Sequence, residues 1–182
     1  MTVIYSNMGD TDCLLLQRIW ADIPNVNLIE ITSDSVDWED TVDDAIANEH
    51  DTIIFAGHGT TQGLLFPDYN RGEYIIHMGN VNLINAKNVI CIWCNASSFC
   101  VQHNLHSFSS SMFISNINEA YDYGLGQTTT ESINETCRIF HDEVNDLLIN
   151  HIPLSEWVMR LGAHMDVDNA IDTFNRQGLM YI

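Results

Sequence analysis

The sequence predicts an α/β fold, namely a three-layer α/β/α sandwich around a mostly parallel central sheet. Short apolar runs alternate with amphipathic stretches along the 182 residues, which is the pattern of layered α/β proteins. The length suits one domain with a substantial core, and no repeat or low-complexity tract interrupts the chain. We therefore expect a single domain spanning residues 1–182.

The first third of the chain predicts three strands and two helices. They are a strand at 2–7, a helix at 10–23, a strand at 26–32, a helix at 35–50 and a strand at 51–57. Asp10 or Thr11 is suited to cap the first helix. In the second, acidic helix, Val42 and Ile46 lie one turn apart and predict a buried face.

The remainder predicts an insertion, two more core strands and a helical C-terminal part. Segment 60–85 contains turn residues between apolar runs and predicts a hairpin or a long loop with short strands. The run "KNVICIWCN" (87–95) is apolar on both faces, as central parallel strands are. A fifth strand is expected at "SMFISN" (111–116).

A long helix is expected over roughly 129–150. Thr128 and Glu131 have the spacing of a capping box. One face of this helix is apolar, with Ile133, Cys137, Val144 and Leu148. The stretches "LSEWVMRLGAHM" and "VDNAIDTFNRQ" predict two further helices, and "GLMYI" predicts a last strand.

The charge of the chain limits its partners. There are 6 Lys and Arg against 25 Asp and Glu, which gives a formal net charge of -19. Such a field repels phosphate backbones and anionic lipids, so we expect no nucleic-acid and no membrane partner. It attracts basic peptides or basic protein surfaces.

The sequence also predicts the cellular location of the protein. The start "MTVIYSNMGD" lacks the basic and apolar regions of a secretory signal, and no run is long enough to span a membrane. The five cysteines are scattered among apolar positions, as expected for reduced thiols. We therefore expect a cytoplasmic protein, and we predict neither a cofactor nor a metal.

Two reactive side chains follow two of the predicted core strands. His58 stands between Gly57 and Gly59 at the end of "TIIFAGHG", and Cys94 follows "VICIW". Ligands and chemistry gather at the carboxyl ends of parallel strands, so neighbouring strands would bring these two side chains together. An imidazole beside a thiol can take its proton and later donate one to a leaving amine. Gly59 could bring its N–H close to a developing oxyanion.

These motifs resemble those of the caspase-like cysteine peptidases, a clan that includes caspases, metacaspases, gingipains, separase and bacterial CHAT-type proteases. "IIFAGHGT" is similar to the clan's histidine motif and "VICIWCNAS" to its cysteine motif. The resemblance implies a caspase-like fold and a cysteine endopeptidase that acts through a thioester. In it, His58 would be the general base or acid, Cys94 the nucleophile and Gly59 an oxyanion donor.

The chain departs from the family at two positions. Trp93 stands where caspases have a small residue, and Ile92 stands where metacaspases carry an acid for basic substrates. Asp10 or Asp12, after the first strand, could supply that acid. We expect Asp10, Asp12, Trp93 and Asn95 to contact a protein or peptide substrate, with a basic side chain preferred on overall charge. A regulatory protein or a second copy of the chain could control activity.

Three alternatives remain open at this stage. The chain could be an inactive caspase-like interaction or regulatory module, or a flavodoxin-like or signalling domain without chemistry. A zinc site is the third, because the spacing within 91–106 brings several zinc-ligand residue types close in sequence. They are Cys91, Cys94, Cys100, His103 and His106. The strand-like surroundings of Cys91 instead predict that it points into the core.

Overall fold

The computed structural model describes residues 1–182 and contains nine strands and seven α-helices. The strands are β1 (Thr2–Ser6), β2 (Asn27–Ile31), β3 (Thr52–Ala56), β4 (Gly59–Thr60), β5 (Gly63–Leu65), β6 (Tyr74–Ile76), β7 (Asn88–Ile92), β8 (Phe108–Ser110) and β9 (Leu179–Tyr181). The helices are α1 (Thr11–Leu16), α2 (Trp38–Asn48), α3 (Ala96–His103), α4 (Ile117–Asp122), α5 (Thr130–Ile149), α6 (Leu154–Ala163) and α7 (Ala170–Gln177). No helix combines the length and the apolar character that crossing a membrane requires.

The predicted α/β class with a mostly parallel central sheet is confirmed. Six strands form this sheet in the order β2-β1-β3-β7-β8-β9. The first five are parallel, and only β9 pairs antiparallel, with β8. In the centre of the sheet, Ile4 of β1 pairs with Phe55 of β3, which pairs with Cys91 of β7.

Both faces of the sheet are covered, because its strands alternate side chains between two apolar clusters. In β3, Ile53 and Phe55 belong to one cluster, while Ile54 and Ala56 belong to the other. The first cluster is completed by α2, α3 and the hairpin strands, and the second by α1 and α4–α7. Central strands buried on both faces have the continuous apolar sequences that the chain shows.

Several predicted details of the helices are confirmed. Val42 and Ile46 of α2 are fully buried, and Asp10 caps α1 by accepting a hydrogen bond from the N–H of Cys13. Helix α5 begins one residue later than the predicted capping box. Its cap is Thr129, whose side chain accepts from the N–H of Ser132. The short helices α3 and α4 were not predicted.

The strand predicted at 111–116 is wrong. The fifth core strand is β8, and the apolar run after it forms a loop that still buries Phe113 and Ile114. The backbone of this loop bonds to side chains instead of to a neighbouring strand: Ile114 donates to Asn175 Oδ1 at 2.7 Å and accepts from Asn175 Nδ2 at 2.9 Å. An apolar run therefore enters the core without joining the sheet.

The insertion between β3 and β7 forms a three-stranded antiparallel sheet, as the hairpin prediction anticipated, in the order β4-β5-β6. Trp93 joins this insertion to the main sheet. Its side chain is 2% exposed, its indole N–H donates to the carbonyl of Thr60 at 3.1 Å, and its ring lies against Gly59. A Cβ at Gly59 would lie 2.1 Å from Trp93 Cδ1, so only glycine fits beneath the indole.

We expect Gly59→Ala to lower the free energy of unfolding by about 2–3 kcal/mol, since the added Cβ would overlap both the buried indole of Trp93 and the carbonyl oxygen of Gly63, so that packed groups must shift. Urea unfolding measures this change. The matched control is Gly162→Ala in α6, where an added Cβ meets nothing within 4 Å. There the better helix propensity of alanine should stabilise the protein by about 0.5–1 kcal/mol. Equal midpoints for Gly59→Ala and wild type would contradict the contact.

Candidate functional site

Three neighbouring strands deliver three chemically active side chains to one edge of the sheet. β1, β3 and β7 lie side by side and parallel. Asp10 follows β1, His58 follows β3 and Cys94 follows β7, each a few residues beyond the carboxyl end of its strand. This edge is where parallel sheets collect ligands and chemistry.

Asp10 and His58 form a direct pair. The Nε2 of His58 lies 2.7 Å from Asp10 Oδ2, while Asp10 Oδ1 accepts from the N–H of Cys13 at 2.8 Å. Burial works against the charged form of Asp10, but these hydrogen bonds and the nearby imidazole outweigh it and lower the pKa of the carboxyl group. The ionised Asp10 thus fixes the orientation of the His58 ring, whose Nδ1 makes no hydrogen bond to the protein.

Cys94 is partly buried, and its thiol donates to the carbonyl of Phe113 at 3.6 Å. No hydrogen bond joins it to His58. Burial, followed by the negative charges of Glu119 and Asp12, raises the pKa of the Cys94 thiol to about 11. At neutral pH the resting side chain is therefore a protonated thiol.

His58 and Cys94 nevertheless line the same small cavity, of about 40 Å³. Asp12 lies in its wall as well. Its Oδ2 accepts from Ser115 Oγ at 2.8 Å and from Asn116 Nδ2 at 3.2 Å, so it connects the start of α1 to the loop after β8. The cavity therefore brings together four of the predicted site residues: His58, Asp12, Trp93 and Cys94.

Of the other three predicted site residues, Asp10 pairs with His58, and Gly59 and Asn95 lie next to residues of the cavity wall. Gly59 lies under Trp93 in β4 and pairs with Leu64 of β5. Asn95 directly follows Cys94 in the left-handed region, with φ 67°, and its N–H donates to the carbonyl of Ser111 at 3.0 Å. Asparagine tolerates this conformation better than most residues, so Asn95 can turn the chain sharply from the nucleophile candidate into α3.

His141 of α5 also lines the cavity and was missed by the sequence reasoning. It is 3% exposed, and neither ring nitrogen has a hydrogen-bond partner of good geometry. Burial lowers the pKa of His141 to about 4, with the nearby Leu15 backbone offsetting only part of the effect. The sequence does contain one indication of this burial: His141 lies one turn after Cys137, on the apolar face of α5.

The zinc set considered within 91–106 is not assembled. Cys91 and Cys100 are buried in the apolar cluster on one face of the sheet, as predicted for Cys91, and they do not meet His103 and His106 at one point. One other group has the composition and spacing of a metal site. The donor atoms of Asp10, Cys13 and His58 all lie within 4.8 Å of one another.

We expect His141 to make stability depend on pH. Its folded pKa of about 4 lies below the ordinary value of 6.5, so the neutral ring is favoured on folding. The contribution of the neutral His141 ring to the free energy of unfolding is complete above pH 6.5 and is lost as pH falls toward 4. The loss between pH 6.5 and 5 is about 2 kcal/mol. Chemical unfolding of wild type and His141→Phe at each pH measures this difference. For the exposed control His151→Asn, the free energy of unfolding should change with pH as it does in wild type. The same pH dependence in His141→Phe would contradict a buried neutral ring.

We expect Glu119→Gln to make Cys94 more reactive. Removing this negative charge lowers the pKa of the thiol, so alkylation by iodoacetamide at pH 8 should accelerate by roughly two- to fivefold. Mass spectrometry of the Cys94 peptide gives the rate. The control Glu131→Gln removes an exposed charge that does not act on Cys94. A slower reaction in Glu119→Gln than in this control would refute the electrostatic account.

Comparison of the chain with protein-family models, with curated proteins and with solved structures gave no match. A function is therefore inferred from the chemistry of the site itself.

Proposed function

We propose that the protein is a cysteine endopeptidase with a caspase-like fold, in which Cys94 is the nucleophile and His58 the proton carrier. The observation that carries the proposal is the shared cavity at the carboxyl edge of the sheet, lined by Cys94 and by an imidazole that a carboxylate holds in place. A nucleophile, a base and a third group that orients the base are the parts of an activated cysteine or serine hydrolase.

The pairing of His58 with Asp10 determines which nitrogen acts. An ionised carboxylate only accepts, so Nε2 carries the proton that it donates to Asp10, and Nδ1 keeps a free lone pair. Nδ1 is thus the atom that accepts the proton of Cys94. Asp10 then stabilises the imidazolium that forms, so it acts in orientation and charge stabilisation instead of the substrate contact expected for it.

The reaction proceeds in two halves. The Cys94 sulfur attacks the peptide carbonyl as its proton moves to His58; the C–N bond then breaks, and His58 returns the proton to the leaving amine. A water attacks the resulting thioester and gives its proton to His58, after which the C–S bond breaks and the thiol is restored. In this proposal Gly59 contributes an N–H to the oxyanion of both tetrahedral intermediates.

One rearrangement precedes the first step. The thiol must leave the carbonyl of Phe113, 3.6 Å away, before it can transfer its proton to His58. Because the thiol is protonated at rest, proton transfer and attack on the carbonyl occur together instead of from a preformed thiolate. In the resting protein, Cys94 is consequently a weak nucleophile.

The charges around the cavity favour a basic substrate. Asp12 and Glu119 both act on Cys94, and the chain as a whole carries a net charge of -19. A Lys or Arg side chain beside the cleaved bond would complement these carboxylates and offset their effect on the thiol. We therefore propose protein or peptide substrates with a basic residue at that position.

A specific observation also supports the alternative of an inactive caspase-like interaction or regulatory module. The cavity holds only about 40 Å³, and the thiol bonds to Phe113 instead of to His58. A protein of this kind would retain the fold and the paired motifs without turnover. The reactivity of Cys94 separates the two functions.

The test uses the full chain and fluorogenic peptides with Arg, Lys or Asp before the cleaved bond. We expect cleavage after Arg or Lys, with kcat/KM reduced at least about a thousandfold in Cys94→Ala and His58→Asn and at least about tenfold in Asp10→Asn. The variant His151→Asn, which replaces an exposed histidine at φ 52° with a residue suited to that backbone, should cleave like wild type.

Two results would overturn the proposal. One is cleavage by Cys94→Ala at the wild-type rate. The other is no cleavage of any peptide by wild type, together with alkylation of Cys94 at the same rate in wild type and His58→Asn. The second result would favour the inactive module, since the histidine would then have no effect on the thiol.

A further inference from the structure

The Asp10–Cys13–His58 group has a property that the proposed hydrolysis does not use. Cys13 takes no part in the two half-reactions, yet its sulfur lies within 4.8 Å of the Asp10 carboxylate oxygen and the His58 ring nitrogen. It is the only group of three or more His, Cys, Asp or Glu side chains in the structure whose donor atoms converge in this way. Cys13 is completely buried and lines the same cavity as His58 and Cys94.

The three donor types define the ion that they suit. A thiolate, an imidazole and a carboxylate are the ligands of Zn²⁺ in proteins, and three protein ligands with one open position is the usual zinc arrangement at reactive sites. Mg²⁺ and Ca²⁺ prefer oxygen atoms alone, so the sulfur disfavours them. We propose that Asp10, Cys13 and His58 bind Zn²⁺, and that the bound ion switches off the peptidase.

The local structure already orients two of the ligands. Asp10 Oδ1 is held by the N–H of Cys13 at 2.8 Å, which leaves Oδ2 directed at His58. Hydrogen bonds that fix ligating carboxylates in this way strengthen metal sites. Asp10 and His58 keep 43% and 16% of their side chains exposed, so an ion reaches the buried sulfur from their side.

Binding requires the Asp10–His58 pair to open and two ligand atoms, Cys13 Sγ and His58 Nε2, to lose their protons. An oxygen and a nitrogen ligand of a tetrahedral zinc lie about 3.3 Å apart, whereas Asp10 Oδ2 and His58 Nε2 are 2.7 Å apart, so this pair must open by roughly 0.6 Å. Cys13 must also lose its proton and give up its 3.5 Å hydrogen bond to the carbonyl of Ser6. The ion replaces the Asp10–His58 hydrogen bond with two coordinate bonds.

Inhibition follows from the tautomer of His58, and this part rests on the proposed function. Zinc on Nε2 displaces the ring proton to Nδ1, because a neutral imidazole carries one proton. Nδ1 is the atom that accepts the proton of Cys94 in the proposed reaction. A histidine that holds zinc therefore cannot act as the base, and Cys94 stays a thiol.

The binding test uses Co²⁺, which occupies zinc sites and reports its ligands by absorbance. Titration of the full chain should give one equivalent of bound Co²⁺, with a thiolate-to-cobalt band in the near ultraviolet that added Zn²⁺ removes. We expect this band to be lost in Cys13→Ser and the affinity to fall at least about tenfold in Asp10→Asn, where asparagine can still cap α1. The control Cys94→Ser should bind like wild type.

Absence of the band in wild type, or a band that survives Cys13→Ser and disappears in Cys94→Ser, would overturn the proposal. If Cys13→Ser fails to fold, Asp10→Asn and Cys94→Ser decide between the two thiols. In the peptidase assay, the zinc concentration for half-inhibition should rise at least about tenfold in Asp10→Asn, relative to its own metal-free rate. A wild-type protein that binds Co²⁺ through Cys13 but cleaves no peptide would contradict the peptidase and leave the metal site intact.

Discussion

The parallel register of β1, β3 and β7 is the constraint on which the candidate site depends. Because these strands are neighbours and run in the same direction, the residues that follow them emerge at one edge, and Asp10, His58 and Cys94 meet there although 84 residues of sequence separate the first from the last. A parallel sheet needs a crossover between each pair of strands, and here α1, α2 and the small antiparallel sheet lie in those connections. The apolar clusters on both faces fix the register, since a slip by one residue would exchange the side chains of the two faces.

Two contacts hold the loops of this edge in place. The indole of Trp93 lies on the backbone of Gly59 and donates a hydrogen bond to the carbonyl of Thr60. The segment that carries Cys94 is therefore packed against the segment that carries His58. On the other side, Asp12 accepts hydrogen bonds from Ser115 and Asn116 and ties the start of α1 to the loop after β8. Trp93 thus serves as packing between the two motifs, which accounts for a bulky residue next to the candidate nucleophile. The contact between Trp93 and a substrate stays a prediction.

The burial that brings these side chains together also keeps the Cys94 thiol unreactive. Cys94 is surrounded by apolar groups and by carboxylates, so its thiol keeps its proton, whereas Asp10 receives enough hydrogen bonds to stay ionised. In the proposed peptidase the base is therefore prepared before the nucleophile is, and the thiol would become reactive only when a cationic substrate is present. The proposed zinc ion would compete with the thiol proton for the same imidazole.

The sequence alone determined the fold class, the positions of most strands of the central sheet to within one to three residues, and the two motifs, because apolar periodicity and strand-end residues are local signals. It misplaced β8: buried Ser109 and Ser110 carry no apolar signal, while Phe113 and Ile114 carry one without joining the sheet. Only the tertiary structure decided that Asp10 orients His58, that the thiol bonds to Phe113, and that Cys13 and His141 line the cavity. These contacts join residues far apart in the chain, and their geometry depends on how loops and α5 pack over the sheet, which no local pattern encodes.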